Sequence, residues 1–435
     1  MSGAVWTNWG RTSRSTPARV ERPRTAEAVA QALLRAGEEG LRVRPVGAGH
    51  SFTALARTDG LLLETTGLAG LRAVDRARDR ITVGGGTTIA ALGRIAARSG
   101  LALPNLGDID RQTIAGAIGT GTHGTGAAFR PIAAQVVGLQ LVTTAGEVLE
   151  IGEHDPLLPA ARVSLGALGV VTAVTLQCVP AFGLAAQERA EPLEPVLAGF
   201  ASRVAAADHF EFYWFPGTGT ALTKTNTRIP VEDVGRRRSR VRRLVDDELV
   251  ANGLFELTCR VGRAAPALVP SINRLAARTV AERGYRGSSH DVFTSPRRVR
   301  FAETEWAVPL ERLPEAFDAF RRAVERSRQR ISFPVEVRAA AADDSAWLST
   351  SWGRPTAYVS VHCYARDVRR DYLRMAERIF LAAGGRPHWG KLHTRGADDL
   401  RRLYPRFDDF AAVQRAFDPD GLLRNRHLDR VLGLA

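Results

Sequence analysis

Apolar residues between Thr25 and Gly40 recur at helical spacing, at Val29, Ala32, Leu33 and Ala36. Thr25 is placed to cap that helix and Gly40 to end it. Leu41 to Val46 alternates like a strand and runs into a glycine-rich turn at Gly47. Leu61 to Glu64 and Arg80 to Val83 read as short strands, with a helix from about Thr88 to Arg98 after Gly84-Gly85-Gly86. Two longer strands are predicted over Gln135–Val142 and Gly169–Leu176. The first joins Val148-Leu149 through the turn Thr144-Ala145-Gly146-Glu147.

From about Ala181 the segments lengthen and the strands become aromatic-rich, as in His209–Phe215 and the alternating run Ala357–Tyr364. Helices are predicted between them over Leu313–Arg330 and Asp371–Ala383. The pattern predicts an α+β chain of two domains, 12–180 and 181–435, the second built on an antiparallel sheet. A length of 435 residues, too much for one ordinary core, agrees.

Composition is that of a globular enzyme: 45% hydrophobic and 24% charged. No apolar run approaches the roughly 18–20 residues of a membrane span, and the first residues lack the features of a secretory signal. Three scattered cysteines, Cys178, Cys259 and Cys363, form neither a metal motif nor a disulfide framework. A reducing, cytoplasmic setting is expected. The net charge of +14 and the run Arg236 to Arg243 raise nucleic acid or anionic lipid as partners. No aromatic residue interleaves that run, so a solvated surface is the expectation and no nucleic-acid partner is expected. Only Lys224 and Lys391 stand against 58 arginines. A retained lysine in such a chain hints at a need for a compact ammonium.

Gly119 to Gly124 fits GxGxxG, yet Thr125-Gly126 and a strand follow where a dinucleotide fold opens a helix. Gly385 to Lys391 fits GxxxxGK, but Leu392 stands where a magnesium-binding hydroxyl belongs. What survives is a pair of glycine-rich loops, Val46-Gly47-Ala48-Gly49-His50-Ser51-Phe52 and Gly116 to Gly126. Glycines let backbone N–H groups converge on phosphate oxygens, so two such loops suit the pyrophosphate of a dinucleotide. In the second half, Glu336 and Arg338 lie two apart on a strand and share a face.

Together these motifs resemble the vanillyl-alcohol-oxidase (p-cresol methylhydroxylase) type of FAD flavoprotein, in its aldonolactone and alditol oxidoreductase branch. The resemblance rests on Gly47 to Ser51, on Asn105 to Asp108 with Gly116 to Gly126, on Ser164 to Val171, on Pro334 to Arg338, on His388 to Lys391 and on Phe417 to Asn425. It implies a two-domain flavoprotein, with an FAD-binding domain and a substrate or cap domain whose last segment, 386–435, returns to the flavin. It implies FAD joined through its 8α-methyl group to His50. The implied cofactor contacts are Val46, Gly47, Ala48, Gly49, Ser51, Phe52, Asp108, Gly116, Gly119, Thr120, Thr122, His123, Gly124, Gly126, Gly169, Val170 and Asn425.

The implied reaction is hydride transfer from a carbinol carbon to flavin N5. The expected substrate is an aldono-1,4-lactone such as L-gulono- or D-arabinono-1,4-lactone. Arg338 is expected to stabilise anionic flavin, Glu336 to bind substrate hydroxyls, Lys391 to be the second cation, and His362 to contact substrate or relay a proton. Oxygen or a redox carrier would accept the electrons. Two alternatives stand beside this reading. One is an alditol or oligosaccharide oxidase of the same family; the other is a basic nucleic-acid- or lipid-binding protein on a degenerate flavin fold. No metal cluster is apparent among the nine histidines.

Overall fold

Parallel strands need a crossover, and the first helix supplies it. In a computed structural model, which describes residues 5–235, 252–279, 282–327 and 329–434, Arg19–Glu21, Leu61–Glu64 and Val43–Val46 pair in parallel with Leu61–Glu64 central. Helix Ala26–Glu38 starts where Thr25 accepts the Ala28 N–H, and it packs Val29, Leu33 and Ala36 against Val43, Leu61 and Leu63. The basic run Arg236 to Arg243 lies outside the described residues.

Beside this layer stands a five-stranded antiparallel sheet, in the order Val148–Ile151, Val136–Val142, Val170–Gln177, Arg80–Gly84 and Leu71–Asp75. Leu71–Asp75 escapes sequence reading because its residues are exposed or half-buried and carry no apolar alternation. The larger sheet is antiparallel and eight-stranded. Four adjacent strands of it are His209–Trp214, Val335–Ala340, Thr356–Tyr364 and Phe301–Pro309. One face of each, Phe212, Val337, Val359 and Trp306 among them, packs on the apolar sides of helices Leu313–Ser327 and Arg370–Ala382. The period of two therefore turns Glu211, Glu336, Ser360 and Glu305 to the opposite face.

Two features lock the layers together. The loop after the second glycine motif joins the large sheet: Gly126 N–H donates to Ala339 O at 2.9 Å, and Thr125 Oγ1 donates to Phe210 O at 2.5 Å. The chain beyond Arg386–Pro387 then crosses back, placing Trp389, Leu400, Phe410 and Leu428 in the core that holds Ile81, Val83 and Leu92. Among the described residues, no helix is long and apolar enough to cross a membrane.

Arg44 is only 1% exposed, and its guanidinium donates to four backbone carbonyls. These are Leu55 O at 2.8 Å, Gly166 O at 3.0 Å, Leu423 O at 2.6 Å and Leu165 O at 2.8 Å. Arg44→Met should strand those carbonyls and destabilise the fold by about 3–5 kcal/mol, the cost of breaking a buried charged network. Urea unfolding of the purified variant checks this, and an unchanged midpoint would show that the carbonyls are satisfied without the guanidinium.

Candidate active site

Both glycine loops open onto one cleft. Its volume is about 880 Å³, and its walls include Gly47, Gly49, Gly116, Gly119, Gly166 and Gly169. The loops fit each other only as glycine: a Cβ on Gly47 would fall 2.0 Å from Thr113 Oγ1, at the start of helix Ile114–Gly119. Gly49 has φ +67°, a left-handed turn that presents the next residue, His50. His50 stacks on Trp9 with centroids 5.2 Å apart. Burial, reinforced by the positive charges of Lys391 and Arg111, pushes its imidazole down to about 4, so it is neutral at physiological pH.

The character of this cleft tests the cofactor. No carboxylate belongs to its described lining, whereas Arg44 does. Among the described residues, no carboxylate forms an ion pair with Arg44. Burial draws the guanidinium down to about 10, and the more distant Asp418 only partly offsets this. A glycine-walled cleft without a carboxylate in its described lining fits a dianionic pyrophosphate, and FAD is the dinucleotide these loops resemble a site for.

Gln112 belongs to the walls of both this cleft and a second one, also of about 880 Å³. The second cavity lies against the polar face of the large sheet. Cross-strand register sets Tyr213 beside Glu336, Glu336 beside Ser360, and Ser360 beside Glu305, a polar row over four strands. The charges are paired. Arg338 reaches Glu336 at 2.5 Å and Glu211 at 2.8 Å, and Tyr213 donates to Glu336 at 2.8 Å. Burial opposes the charge of Arg338, but the two carboxylates outweigh it and hold the guanidinium well above its ordinary range. Burial, with Glu211 and Asp108 nearby, raises the Glu336 carboxyl.

Lys391 enters from the loop after Arg386–Pro387, which is tied to the first glycine loop by Phe52 N–H donating to Gly390 O at 2.7 Å. Its ammonium sits 2.5 Å from Glu303 and 3.9 Å from Glu305. Burial disfavours the ammonium, but these carboxylates overcome that and raise its pKa. His362 lies 3.5 Å from Glu303, and His123 lies 3.1 Å from Glu305. His123, Glu305 and His388 bring three potential ligand atoms within 4.8 Å of one another. They make a poor metal site, because Nδ1 of His388 accepts the Gly390 N–H at 3.0 Å and its Nε2 therefore carries the proton.

The four residues expected to do chemistry, Glu336, Arg338, Lys391 and His362, all line this second cavity. Of the expected cofactor residues, Val46, Gly47, Ala48, Gly49, His50, Ser51, Gly116, Gly119, Thr120 and Gly169 line the first cleft. The others are placed elsewhere. Asp108 accepts from Ser295 at 2.5 Å and Arg297 at 2.6 Å at the second cavity, whose walls also include Thr122 and His123. Phe52 is buried under the Lys391 ammonium, 5.2 Å from its ring centre. Gly124 and Gly126 abut Asn105 and Asp208, and Val170 is core. Asn425 caps helix Arg426–Leu432 and donates to Ala54, Leu55 and Arg57, steadying the loop behind the cleft.

Sequence reading missed Glu211, Tyr213, Glu303 and Glu305. Their signal was present: polar residues two apart in strands otherwise apolar or aromatic, as in Glu211-Phe212-Tyr213 and Glu303-Thr304-Glu305. The lysine hint extends further than expected. Lys224 also belongs to the network, 3.8 Å from Glu211.

Residues 17–152 match the FAD binding domain family and residues 174–431 the D-arabinono-1,4-lactone oxidase family. An L-gulono-1,4-lactone dehydrogenase of Mycobacterium tuberculosis is 42% identical over 99% of both chains. An alditol oxidase of a Streptomyces species is 34% identical over 99% of this chain and 100% of its own. Cholesterol oxidase from B. sterolicum superimposes with a TM-score of 0.82 at 18% identity, over 98% of this chain and 96% of its own, which speaks to the fold. The chain therefore belongs to the D-arabinono-1,4-lactone oxidase family, and it is an FAD-dependent oxidoreductase of the aldonolactone branch of vanillyl-alcohol-oxidase-type flavoproteins.

Proposed function

We propose that this enzyme oxidises a secondary hydroxyl of an aldono-1,4-lactone, with L-gulono- and D-arabinono-1,4-lactone as the leading substrates, and holds FAD covalently through His50. One observation carries the reading. The carboxylate-free glycine cleft meets, at Gln112, a cavity whose acids and cations are already paired with one another. Such a cavity suits a neutral polyhydroxylated ring, which offers both donors and acceptors, better than an ionic substrate. FAD in the first cleft would supply the hydride acceptor. The chain's own groups do the rest. Arg338, fixed by two carboxylates, points positive charge at the reacting oxygen. Glu336 accepts from ring hydroxyls, and Lys391 supplies a second, compact cation.

The division of labour follows as 12–180 for the cofactor and 181–435 for the substrate, with 386–435 closing back on the first domain. Three free, buried cysteines favour a reducing, cytoplasmic setting. A second reading, an alditol oxidase, is favoured by the 34% identical relative.

Steady-state rates separate the two readings. Activity on L-gulono-1,4-lactone and D-arabinono-1,4-lactone should exceed that on xylitol and sorbitol, and the reverse order would establish the alditol reading. Parallel assays of peroxide formation and of dye reduction identify the electron acceptor. Arg338→Lys should lower kcat by about 10²-fold, because one ammonium cannot reproduce a fork shared between Glu336 and Glu211; wild-type kcat in that variant would remove Arg338 from the chemistry. Acid precipitation of the native protein should leave a yellow pellet, whereas His50→Ala should release all its flavin to the supernatant. Since His50 stays neutral down to about pH 4, attachment should proceed at an even rate between about pH 6 and 8. A colourless native pellet would sink the covalent bond.

A further inference from the structure

Arginine gathers where distant stretches of the chain meet. A third depression, of about 1000 Å³, has Arg11, Arg298, Arg300 and Arg366 in its walls, and among the described residues Glu256 is the one carboxylate beside them. Glu256 is already engaged, because Arg260 Nε donates to it at 2.9 Å and the Tyr364 hydroxyl at 2.6 Å. Among the described residues, none of Arg11, Arg300 and Arg366 forms an ion pair, and all three are exposed. Arginine keeps its charge at every pH the protein meets, so the depression stays positive. Strand register builds one side of it. Phe301 pairs with Tyr364, and Ala365 N–H donates to Arg300 O at 3.0 Å, which brings Arg300 and Arg366 together at the ends of neighbouring strands.

Arg11 comes from the other side, on the loop 8–13. Its φ of +57° is one that L side chains rarely adopt, and the loop's own bonds hold it there. Asn8 Oδ1 accepts the N–H groups of Thr12 and Ser13 at 2.9 and 3.0 Å, and Asn8 Nδ2 donates to Ser51 O at 2.8 Å. The same loop carries Trp9, which stacks on His50 and meets the Phe301 ring edge-on, with centroids 5.2 and 5.1 Å away. A Cβ on Gly10 would fall 3.1 Å from Phe301 O, so the loop lies directly against the strand. Ring contacts therefore run from His50 through Trp9 to Phe301, the neighbour of Arg300. The depression also shares Asn252 and Val299 with the second cavity.

We propose that this depression is the docking site of an anionic one-electron acceptor, which collects the electrons of the reduced flavin on the His50 side of the cleft. This deepens the function above by naming the class of acceptor, and it rests on the placement of FAD at His50. Clustered guanidinium groups offer an anion both charge and donors, and they repel a cationic carrier. The net charge of +14 draws anions toward the protein from a distance. Electron transfer weakens steeply across empty space, so packed rings between His50 and the surface favour exit on this side. The hydride taken from the lactone amounts to two electrons and one proton. Two acceptor anions in succession take one electron each, and the proton leaves to solvent.

The test starts from FAD-loaded enzyme reduced anaerobically with stoichiometric dithionite and mixed rapidly with hexacyanoferrate(III), a trianionic one-electron acceptor. The return of flavin absorbance in the native enzyme should slow steeply as salt is raised. The double variant Arg300→Glu, Arg366→Glu should reoxidise about 10–10³-fold more slowly at low salt, the range of electrostatic steering, with a flattened salt dependence. Arg300→Lys with Arg366→Lys keeps both charges and should stay near the native rate. Neutral benzoquinone should reoxidise all three proteins alike, which shows that fold and flavin are intact. Hexacyanocobaltate(III), a redox-inert anion of the same shape and charge, should bind the native holoenzyme in calorimetry and the glutamate variant about tenfold more weakly. Succinylated cytochrome c, made acidic by blocking its lysines, extends the mixing to a protein-sized acceptor. Charge-dependent rates with it assign the site to an acidic carrier protein, and charge dependence with hexacyanoferrate(III) alone assigns it to small anions. Reoxidation of the glutamate variant by hexacyanoferrate(III) at the native low-salt rate overturns the proposal, as does an equal slowing toward benzoquinone. Dithionite supplies the electrons, so a flavin that lactone does not bleach overturns the substrate reading alone.

Discussion

The Arg44 guanidinium, sealed inside the protein without a carboxylate in contact, ties two stretches of chain that wall the glycine-lined cleft to the C-terminal segment behind them. It draws in the loop after His50 through Leu55, the turn at Leu165-Gly166, and the C-terminal segment through Leu423. Lysine would not serve, because an ammonium has three donors on one atom whereas the planar fork spreads five over a fixed geometry. Burying the guanidinium is tolerated because four carbonyls accept its donors.

The second cavity obeys another constraint, that its buried charges come paired. Four adjacent strands turn polar residues to one face while the other face packs on helices. Glu211, Glu303, Glu305 and Glu336 would each be prohibitive alone. Arg338, Lys391 and Lys224 stand among them, and removing any partner leaves its opposite charge stranded. The two cavities are also mechanically coupled. Thr125 and Gly126 bond to the strands that carry Glu211, Glu336 and Arg338, and Phe52 bonds to the loop that carries Lys391.

Much of this was legible locally. The helix from Ala26 and the strand Leu61–Glu64 were readable from spacing and capping, because both are fixed by neighbours in sequence. The shared face of Glu336 and Arg338 follows from the pleat of any strand. The scarcity of lysine singled out Lys224 and Lys391, because the chain uses arginine almost everywhere else.

What the sequence could not show depends on partners far along the chain. Glu303 and Glu305 read as ordinary strand polars until Phe301–Pro309 is registered against Thr356–Tyr364, which puts them beside His362 and Ser360. Asp108 adjoins a cofactor-like loop in sequence, yet Arg297, nearly two hundred positions away, pairs with it in the wall of the second cavity. Gly124 and Gly126 look like phosphate-cradling residues and prove to be points of close approach to Asn105 and Asp208. The sequence determined which residue types share a strand face or a turn, because backbone periodicity and glycine conformation are local properties. Tertiary structure alone decided which charges meet, because cross-strand register and the return of the C-terminal segment are set by burying the whole apolar surface at once.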